Sequence, residues 1–481
     1  MDTKKLRQKI LDLAIHGKLV SQDPNDEPAS VLLERIRAEK ERLIAEGKIK
    51  RSKKSATSDT SHYENVPFEV PDGWSWCSIS DICSKIGSGS TPRGSNYAEH
   101  GIPFFRSQNV YNDGLVYDDI KYISEDVHKS MIGTEVLPKD LLLNITGGSL
   151  GRCAVVPSDF ERGNVSQHVC ILRTVQVLPE YLHCFIISDY FSDTMILSGS
   201  GREGLPKYSL EAMMIPIPPL AEQSRIVSSI VQLITFVNSI EGSITDILQS
   251  VQVAKSKILD LAIHGKLVPQ DANDEPVSEL LKRINPKAVA SCDNPHYENV
   301  PFEIPSSWAW CKVRDVADVA RGGSPRPIKQ YLTDSPDGVN WIKIGDAEEG
   351  SKYITKTAER IIPEGAKRSR YVKTGDFLLT NSMSFGKPYI LGTDGCIHDG
   401  WLVISPTDGA YDKNFLYYLL SSSFAYNQFS EKAGGAVVSN LNKDKVSDSL
   451  FPLPPIAEQK RIADMIEKLY KNLEIIASTL L

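Results

Sequence analysis

Few side chains in this sequence are spaced for covalent chemistry. His16 and His264 repeat inside the identical segment ILDLAIHGKLV at residues 10–20 and 258–268. Each precedes a glycine in the last turn of a predicted helix, where an imidazole meets free carbonyls and the helix dipole. The acidic residues of QD-x-NDEP, Asp23, Asp26 and Glu27 and again Asp271, Asp274 and Glu275, have the composition of a cation site. Their place between a helix C-cap and a proline-started helix predicts a capped loop instead. The sequence contains no GxxxxGK[ST] loop, no Asn-Pro-Pro-Tyr-like motif and no histidines at metal spacing,. It shows no nucleophile with a base at recognisable spacing, so catalysis by this chain is not expected. What remains is a set of Arg, Lys, Asn, Gln, His and hydroxyl side chains in glycine-rich loops, groups suited to recognition.

The elements that must position those loops are duplicated. HYENVPFE at 62–69 returns at 296–303, and PIPPLAEQSRI at 216–226 returns as PLPPIAEQKRI at 452–462. The order is circularly permuted. Residues 221–245 align with 457–481, whereas their continuation 250–268 aligns with 2–20, leaving about three positions (246–248) without a counterpart. The chain reads as a two-fold object opened in the middle of one helix.

From Ile226 the apolar positions run Ile226, Ile230, Leu233, Val237, Ile240, Ile244, Ile247, Val251, Ala254, Ile258 and Leu261. That 4, 3, 4, 3 spacing is a heptad seam. The C-terminal copy keeps its phase through Ile462, Ile466, Leu469, Leu473, Ile476 and Leu480, and Leu6, Ile10 and Leu13 continue it. No proline interrupts residues 221–268, and Gly265 is placed for a left-handed cap,. A helix over 221–264 would be roughly 65 Å long at ~1.5 Å per residue. The end-to-end C- and N-terminal pieces offer it an antiparallel partner of equal length.

Between the repeats lie two modules that open alike, with YENVPFE, W-x-W-C and a glycine-rich turn (GSGSTPRG at 87–94, RGGSPRP at 321–327). Each continues with a strand–turn–strand (137–156, 372–391) and a short helix (179–188, 414–422). Short β-like runs broken by Gly, Pro, Asn and Ser predict a mixed α/β fold. Before the first module, residues 35–54 carry nine basic against three acidic side chains. Such a run is usually a solvated tether, here with a slight leaning towards phosphate contact.

Composition sets bounds. The 481 residues allow three or four domains, and 41% hydrophobic with 24% charged residues is ordinary for globular proteins,. No uninterrupted apolar run approaches ~18–20 residues, and the N-terminus lacks a signal-peptide core. The eight cysteines (Cys77, Cys83, Cys153, Cys170, Cys184, Cys292, Cys311, Cys396) show no CxxC pairing, so neither zinc nor a disulfide framework is expected and a reducing cytoplasm fits,. A net charge of −7 argues against a basic coat but leaves room for local basic grooves,.

The duplicated helical blocks, permuted order, two divergent modules and PLPP-x-AEQ-x-RI signature together resemble the specificity subunit of type I restriction–modification systems, over the whole chain. The resemblance implies an α+β multidomain fold, with two mixed α/β target-recognition domains joined by a long antiparallel two-helix coiled coil of permuted pseudo-two-fold symmetry. Its segments would be 1–60 (N-terminal helical region), 61–219 (first recognition domain), 220–294 (central helix and linker), 295–455 (second recognition domain) and 456–481 (C-terminal helix). It further implies that each domain reads half of a split DNA site, that the helices fix the spacer, and that two methyltransferase and two restriction/translocase subunits bind. S-adenosylmethionine, ATP and Mg are then expected on those partners and none on this chain, with no membrane involved.

Major-groove reading calls for Arg or Lys to guanine, Asn or Gln to adenine, and small residues against the thymine methyl. The matching loop residues of the first module are Thr91, Arg93, Ser107, Gln108, Asn109, Asn144, Thr146, Arg152, Gln167, His168, Arg202 and Lys207. Those of the second are Ser324, Arg326, Lys343, Asn381, Ser382, Lys387, His398, Trp401, Asn440, Lys443 and Lys445. Arg93 pairs by position with Arg326, and Arg152 with Lys387. About a third of these are expected to touch DNA, most of them at phosphates. A coiled-coil scaffold whose modules bind protein or glycan is the competing reading, and it predicts no salt-dependent affinity for duplex DNA.

Overall fold

The computed structural model describes residues 2–51, 66–92, 94, 97–198, 204–288, 300–348, 350–381, 385–433 and 441–480. The chain forms two compact units, Met1–Ser243 and Ile244–Leu481. Their boundary falls inside one continuous helix, Leu220–Ile263, close to the three residues that lack a counterpart in the repeats. Each unit therefore consists of a helical piece, a module and a second helical piece, a division that cuts across the segments drawn from the sequence.

In the first unit, helix Thr3–Ile15 starts on the Asp2 side chain, which accepts from Lys5 N at 3.0 Å. It runs antiparallel to the first half of the long helix. Arg7 reaches Asn238 at 2.6 Å and Glu241 at 2.7 Å, while Gln22, beyond its far end, reaches Glu222. The second unit repeats this with helix Ile456–Leu480. Tyr470 Oη donates to Lys255 O at 3.1 Å, Lys255 pairs with Glu474 at 3.1 Å, and Gln270 reaches Glu458.

The heptad seam is buried chiefly where a module backs it, with Val251 buried as well. Ile226, Ile230, Val237, Ile462 and Ile466 are buried, and Leu233, Ile244, Leu469 and Leu473 are half-buried. Ile240, expected in the seam, is exposed, as are Ile247 and Ile476. Two helices cover one another along a single stripe, so without a third layer the seam stays half open. The long helix also contains an 18-residue window of mean hydropathy 1.2, long and apolar enough by composition alone to span a bilayer, and only 17% of it is buried. Ser, Thr and Gln interrupt that apolar content, so it forms no unbroken apolar run.

A buried polar knot roots each module on its helices. Glu222 is fully buried and accepts from Trp74 Nε1 at 3.0 Å and Gln22 Nε2 at 2.8 Å. Gln223, also buried, accepts from Leu178 N at 3.0 Å and donates to Pro218 O at 3.0 Å. Arg225 grips Asp26 with both terminal nitrogens. The second unit repeats the knot atom for atom. Glu458 takes Trp308 Nε1 (2.8 Å) and Gln270 Nε2 (2.6 Å), Gln459 accepts from Asp412 N (2.8 Å), and Arg461 holds Asp274 (2.7 Å). Beside it, His16 stacks on Phe68 at 3.9 Å and His264 on Phe302 at 3.8 Å, each with Nδ1 2.7 Å from a carbonyl one helical turn back. Gly17 has φ +66°, and a Cβ there would lie 2.5 Å from Pro71; Gly265 has φ +66° and meets Pro305 at 2.4 Å. Only glycine fits both demands.

Each module is mixed α/β. In the first, strands Cys83–Ser88, Val169–Thr174, Leu141–Asn144 and Cys153–Val155 form an antiparallel sheet in that spatial order. A second sheet holds Lys121–Ile123, Ile102–Phe105, Gly163–Val165 and Glu135–Val136, with one parallel pair, Gly163–Val165 on Ile102–Phe105. A ribbon of Ser75–Ser78 and Met214–Ile217 brings the two ends of the module together at the knot. The second module has two five-stranded sheets built on the same plan, and its ribbon pairs Ala309–Lys312 with Leu450–Leu453. The seven described cysteines are buried and unbridged; Cys292 lies outside the described residues.

The basic stretch before the first module is mostly helix, Ala29–Ala45, not tether. Its charges are largely engaged: Lys40 donates to Ser80 O, Arg42 pairs with Glu39 and Glu46, and Arg51 with Glu41. Residues 52–54, with Lys53 and Lys54, lie outside the described residues.

Burial pushes the Glu222 and Glu458 carboxyls up, against the hydrogen bonds from Gln and Trp and the charge of Arg225 or Arg461. A carboxyl raised on folding stabilises fully below its free value of about 4.3 and loses that contribution as pH rises through the raised value. The wild-type chain should therefore gain stability on acidification relative to E222Q/E458Q, as read by thermal melts across pH 4–8. Replacement of either glutamate by alanine should cost roughly 1–3 kcal/mol, because it orphans the buried indole N–H of Trp74 or Trp308,.

Candidate nucleic-acid interface

Three loops of each module converge beside its central strand on a shared backbone frame. Gly89 N donates to Val169 O at 3.0 Å, as Gly322 N does to Trp401 O at 2.9 Å. Ser90 N to Val165 O (3.2 Å) matches Gly323 N to Ile397 O (3.1 Å). Ile145 N to His168 O (3.0 Å) matches Asn381 N to Gly400 O (3.0 Å), and Leu205 N to Ile145 O (2.8 Å) matches Leu441 N to Asn381 O (3.0 Å). The glycine-rich loop presses so closely on the neighbouring turn that a Cβ would lie 1.9 Å from Val165 O at Gly89 and 2.1 Å from His398 O at Gly322. Neither position tolerates a side chain.

The side chains on this frame differ. In the first module Thr91 Oγ1 donates to Gln167 Oε1 at 3.2 Å, Gln167 Nε2 lies 3.5 Å from His168 Nε2, and His168 Nδ1 lies 2.8 Å from Thr146 Oγ1. Thr91, Gln167 and His168 are exposed. In the second module the corresponding groups gather on Asp399. Ser324 Oγ donates to Asp399 Oδ1 (2.8 Å), His398 Nε2 lies 2.9 Å from the same oxygen, and Arg326 lies 3.4 Å from Oδ2. The Asp399 carbonyl accepts from Asn381 Nδ2 (2.8 Å) and Arg321 Nε (3.2 Å). Burial raises the Asp399 carboxyl, but Ser324 and the charges of His398, Arg321 and Arg326 outweigh it and hold it below the usual carboxylate range.

Arg152 and Lys387 occupy equivalent positions, since Asn144 N donates to Arg152 O as Thr380 N does to Lys387 O. Arg152 lies over the Tyr111 ring at 4.6 Å, and Lys387 is exposed. Lys207 and Lys443 each begin a short helix two residues after the pinned Leu205 or Leu441, and both are exposed. Lys445 follows in the same helix, half-buried. Gln108 belongs to another cluster, joining Arg106 and Lys121 around Asp119 (3.0, 3.2 and 3.2 Å). Lys343 pairs with Glu359 at 2.7 Å.

Four expected contact residues are scaffold. Asn109 is fully buried, accepting from Arg106 N and donating to Val116 O. Asn144 is buried, its Nδ2 donating to Ser107 O and Ser149 Oγ. Asn381 is buried and holds the Asp399 turn, and Trp401 is a fully buried core residue. Polar types in loop-like sequence pointed to these positions, but each faces inward to satisfy backbone or fill the core. Arg93, Arg202, Ser382 and Asn440 lie outside the described residues. Asp399 and Arg321 are not among the expected residues; the convergence of Ser324, Arg326 and His398 on Asp399 marks its place.

Residues 71–249 and 305–481 each match the family model for the type I restriction modification DNA specificity domain. The specificity subunit of the type I restriction enzyme EcoEI of Escherichia coli is 27% identical, over 99% of this chain and 90% of that protein. That of EcoAI, also from Escherichia coli, is 31% identical over 66% of this chain and 63% of the relative. Among solved structures, a chain from a type I restriction–modification system studied for its assembly and conformational transition aligns with a TM-score of 0.60 at 17% identity, covering 86% of this chain and 94% of that one. The HsdS subunit of Thermoanaerobacter tengcongensis gives 0.53 at 16%, covering 86% and 93%, so the fold is shared. With two specificity domains spanning most of its length, this chain belongs to the type I restriction–modification DNA specificity family, whose members are non-catalytic specificity subunits.

Proposed function

We propose that the two modules each read one half of an asymmetric, interrupted DNA target. The observation that carries this reading is the matched backbone frame bearing unmatched side chains. Thr91, Gln167 and His168 on one frame and Ser324, Arg326 and Asp399 on the other present different hydrogen-bonding patterns. Identical modules would read identical half-sites and so a palindrome; these two would not. Lys207 and Lys443, at matched and exposed positions, suit phosphates flanking each half-site,. The 44-residue helix supplies the spacing, its halves joined to the N- and C-terminal helices as a permuted antiparallel coiled coil that sets the unspecific spacer.

The repeated HGKL–NDEP segments, residues 16–28 and 264–276, would offer one docking site to each of two identical partners. Their Gln22, Asp26, Gln270 and Asp274 are engaged inside the knots. The apolar side chains left bare on the helices make the better docking surface: Val231 and Phe236 in the first unit, Val253 and Ile475 in the second. Two methyltransferase subunits acting on adenine would cover them, carrying the S-adenosylmethionine. Two restriction/translocase subunits would bring ATP and Mg, all in the cytoplasm. Helical segments from a partner would close the half-open seam.

Co-expressed with its methyltransferase, the chain should direct adenine methylation to a split, asymmetric motif with one modified adenine per strand, mapped by single-molecule sequencing. Absence of any motif from an assembled complex would overturn the reading. The K207A/K443A variant should weaken binding evenly across sequences and flatten the log affinity–log salt slope by about 0.9 per lost phosphate contact, with the motif unchanged. Val231→Ser with Phe236→Ser should lower methyltransferase affinity at least tenfold in pull-down titration while the isolated subunit's melting temperature holds.

A further inference from the structure

The frame brings one position of each module to the same place with a different functional group. Gln167 and Asp399 both lie on the turn after the strand that pairs in parallel (Gly163–Val165, Gly395–Ile397), two residues before the next strand begins at Val169 or Trp401. Each is held by a hydroxyl of the glycine-rich loop, Thr91 at 3.2 Å and Ser324 at 2.8 Å. A carboxamide both donates and accepts, whereas an ionised carboxylate only accepts. We propose that this is a base-reading position, at which Asp399 accepts from the N4 amino group of a cytosine while Arg326, released from it, donates to the paired or adjacent guanine. The half-site of the second module thus carries a G·C pair where that of the first, facing Gln167, carries A·T. This rests on the DNA-recognition reading above and deepens it.

Three features favour an acceptor that touches a base. A carboxylate facing the groove of a polyanion is tolerated only if its charge is paired. Asp399 keeps partners when Arg326 leaves it: Ser324 and His398 on its carboxylate, and the Arg321 guanidinium, which with Asn381 also holds its carbonyl. It is also preorganised, because side chain and backbone are both fixed while about a quarter of its side chain stays accessible,. Arg326 is 82% exposed at 3.4 Å, a loose pairing that a stronger bidentate contact to guanine O6 and N7 replaces,. Cytosine suits the carboxylate better than adenine. Adenine sets its N7 acceptor beside the N6 amino group, which a carboxylate meets unfavourably and a carboxamide satisfies.

The test uses the full complex of this chain with its methyltransferase and maps methylated motifs for the wild type, Asp399→Asn and Arg326→Ala. A split wild-type motif establishes the recognition reading by itself, and its absence refutes that reading, not this position alone. Given the motif, the wild type should carry a G·C pair in the second module's half-site. Asp399→Asn and Arg326→Ala should relax selection at that pair by roughly 10- to 100-fold, leaving the other half-site unchanged. Melting temperatures of the variant subunits separate reading from folding. An unchanged motif in a stably folded Asp399→Asn complex overturns the proposal, as does an even loss of methylation at all sites, which marks a positioning role in the loop. Should Asp399→Asn fail to fold, Arg326→Ala carries the test, because its side chain is almost entirely exposed: a relaxed G·C pair supports the proposal and an unchanged motif refutes it.

Discussion

The structure depends on the buried carboxylate at each start of the AEQ-x-RI helices. Glu222 and Glu458 sit without solvent beneath Trp74 and Trp308, a costly place for a charge unless every lone pair is met,. The meeting partners come from distant parts of the chain: an indole from the module's first strand region and an amide from the loop after the neighbouring helix. Gln223 and Gln459 add the loop before the module's short helix. Helix, loop and module are thus locked by one knot, and none can shift without exposing an unpaired polar group. For a chain whose two modules are each rooted on a long helix, that directional constraint does what apolar packing alone does not.

The sequence exposed the frame more clearly than the site. Duplicated blocks, the heptad phase and the capping glycines gave the long helix almost to the residue, because a 3.5-residue period and a left-handed cap leave local signatures. The knots were visible only as repeated letters. Nothing local in AEQSRI says that its glutamate meets a tryptophan 148 positions earlier. Exposure of Ile240 was illegible for the same reason: periodicity marks the apolar face, and what covers it is tertiary.

Within the loops, residue type misled in a consistent direction. Asn109, Asn144 and Asn381 were chosen as amide readers, yet tight turns need amides to satisfy their own backbone, and all three are consumed that way. Gln167 and Thr91, with the same chemistry but solvent on one side, remain available. The hidden variable is the direction a side chain faces, which no spacing reports in a loop without period. Asp399 is illegible for another reason: Ser324 and Arg326, from a loop 73 to 75 positions earlier, meet it only in the folded module.

Fixed backbone with free side chains also explains how such a frame can diverge without losing its fold. The frame's hydrogen bonds run main chain to main chain, and its tightest contacts fall on Gly89 and Gly322, where no side chain fits. Positions 167 and 399 contribute no carbonyl or amide to the duplicated bonds, so their side chains can change class, carboxamide to carboxylate, at little cost to stability. The partner hydroxyl serves either, because Thr91 and Ser324 can each donate to an amide or a carboxylate oxygen,. Backbone stability and side-chain chemistry are thereby carried by different atoms of the same loops, so the two modules can share a fold while offering different hydrogen-bonding faces.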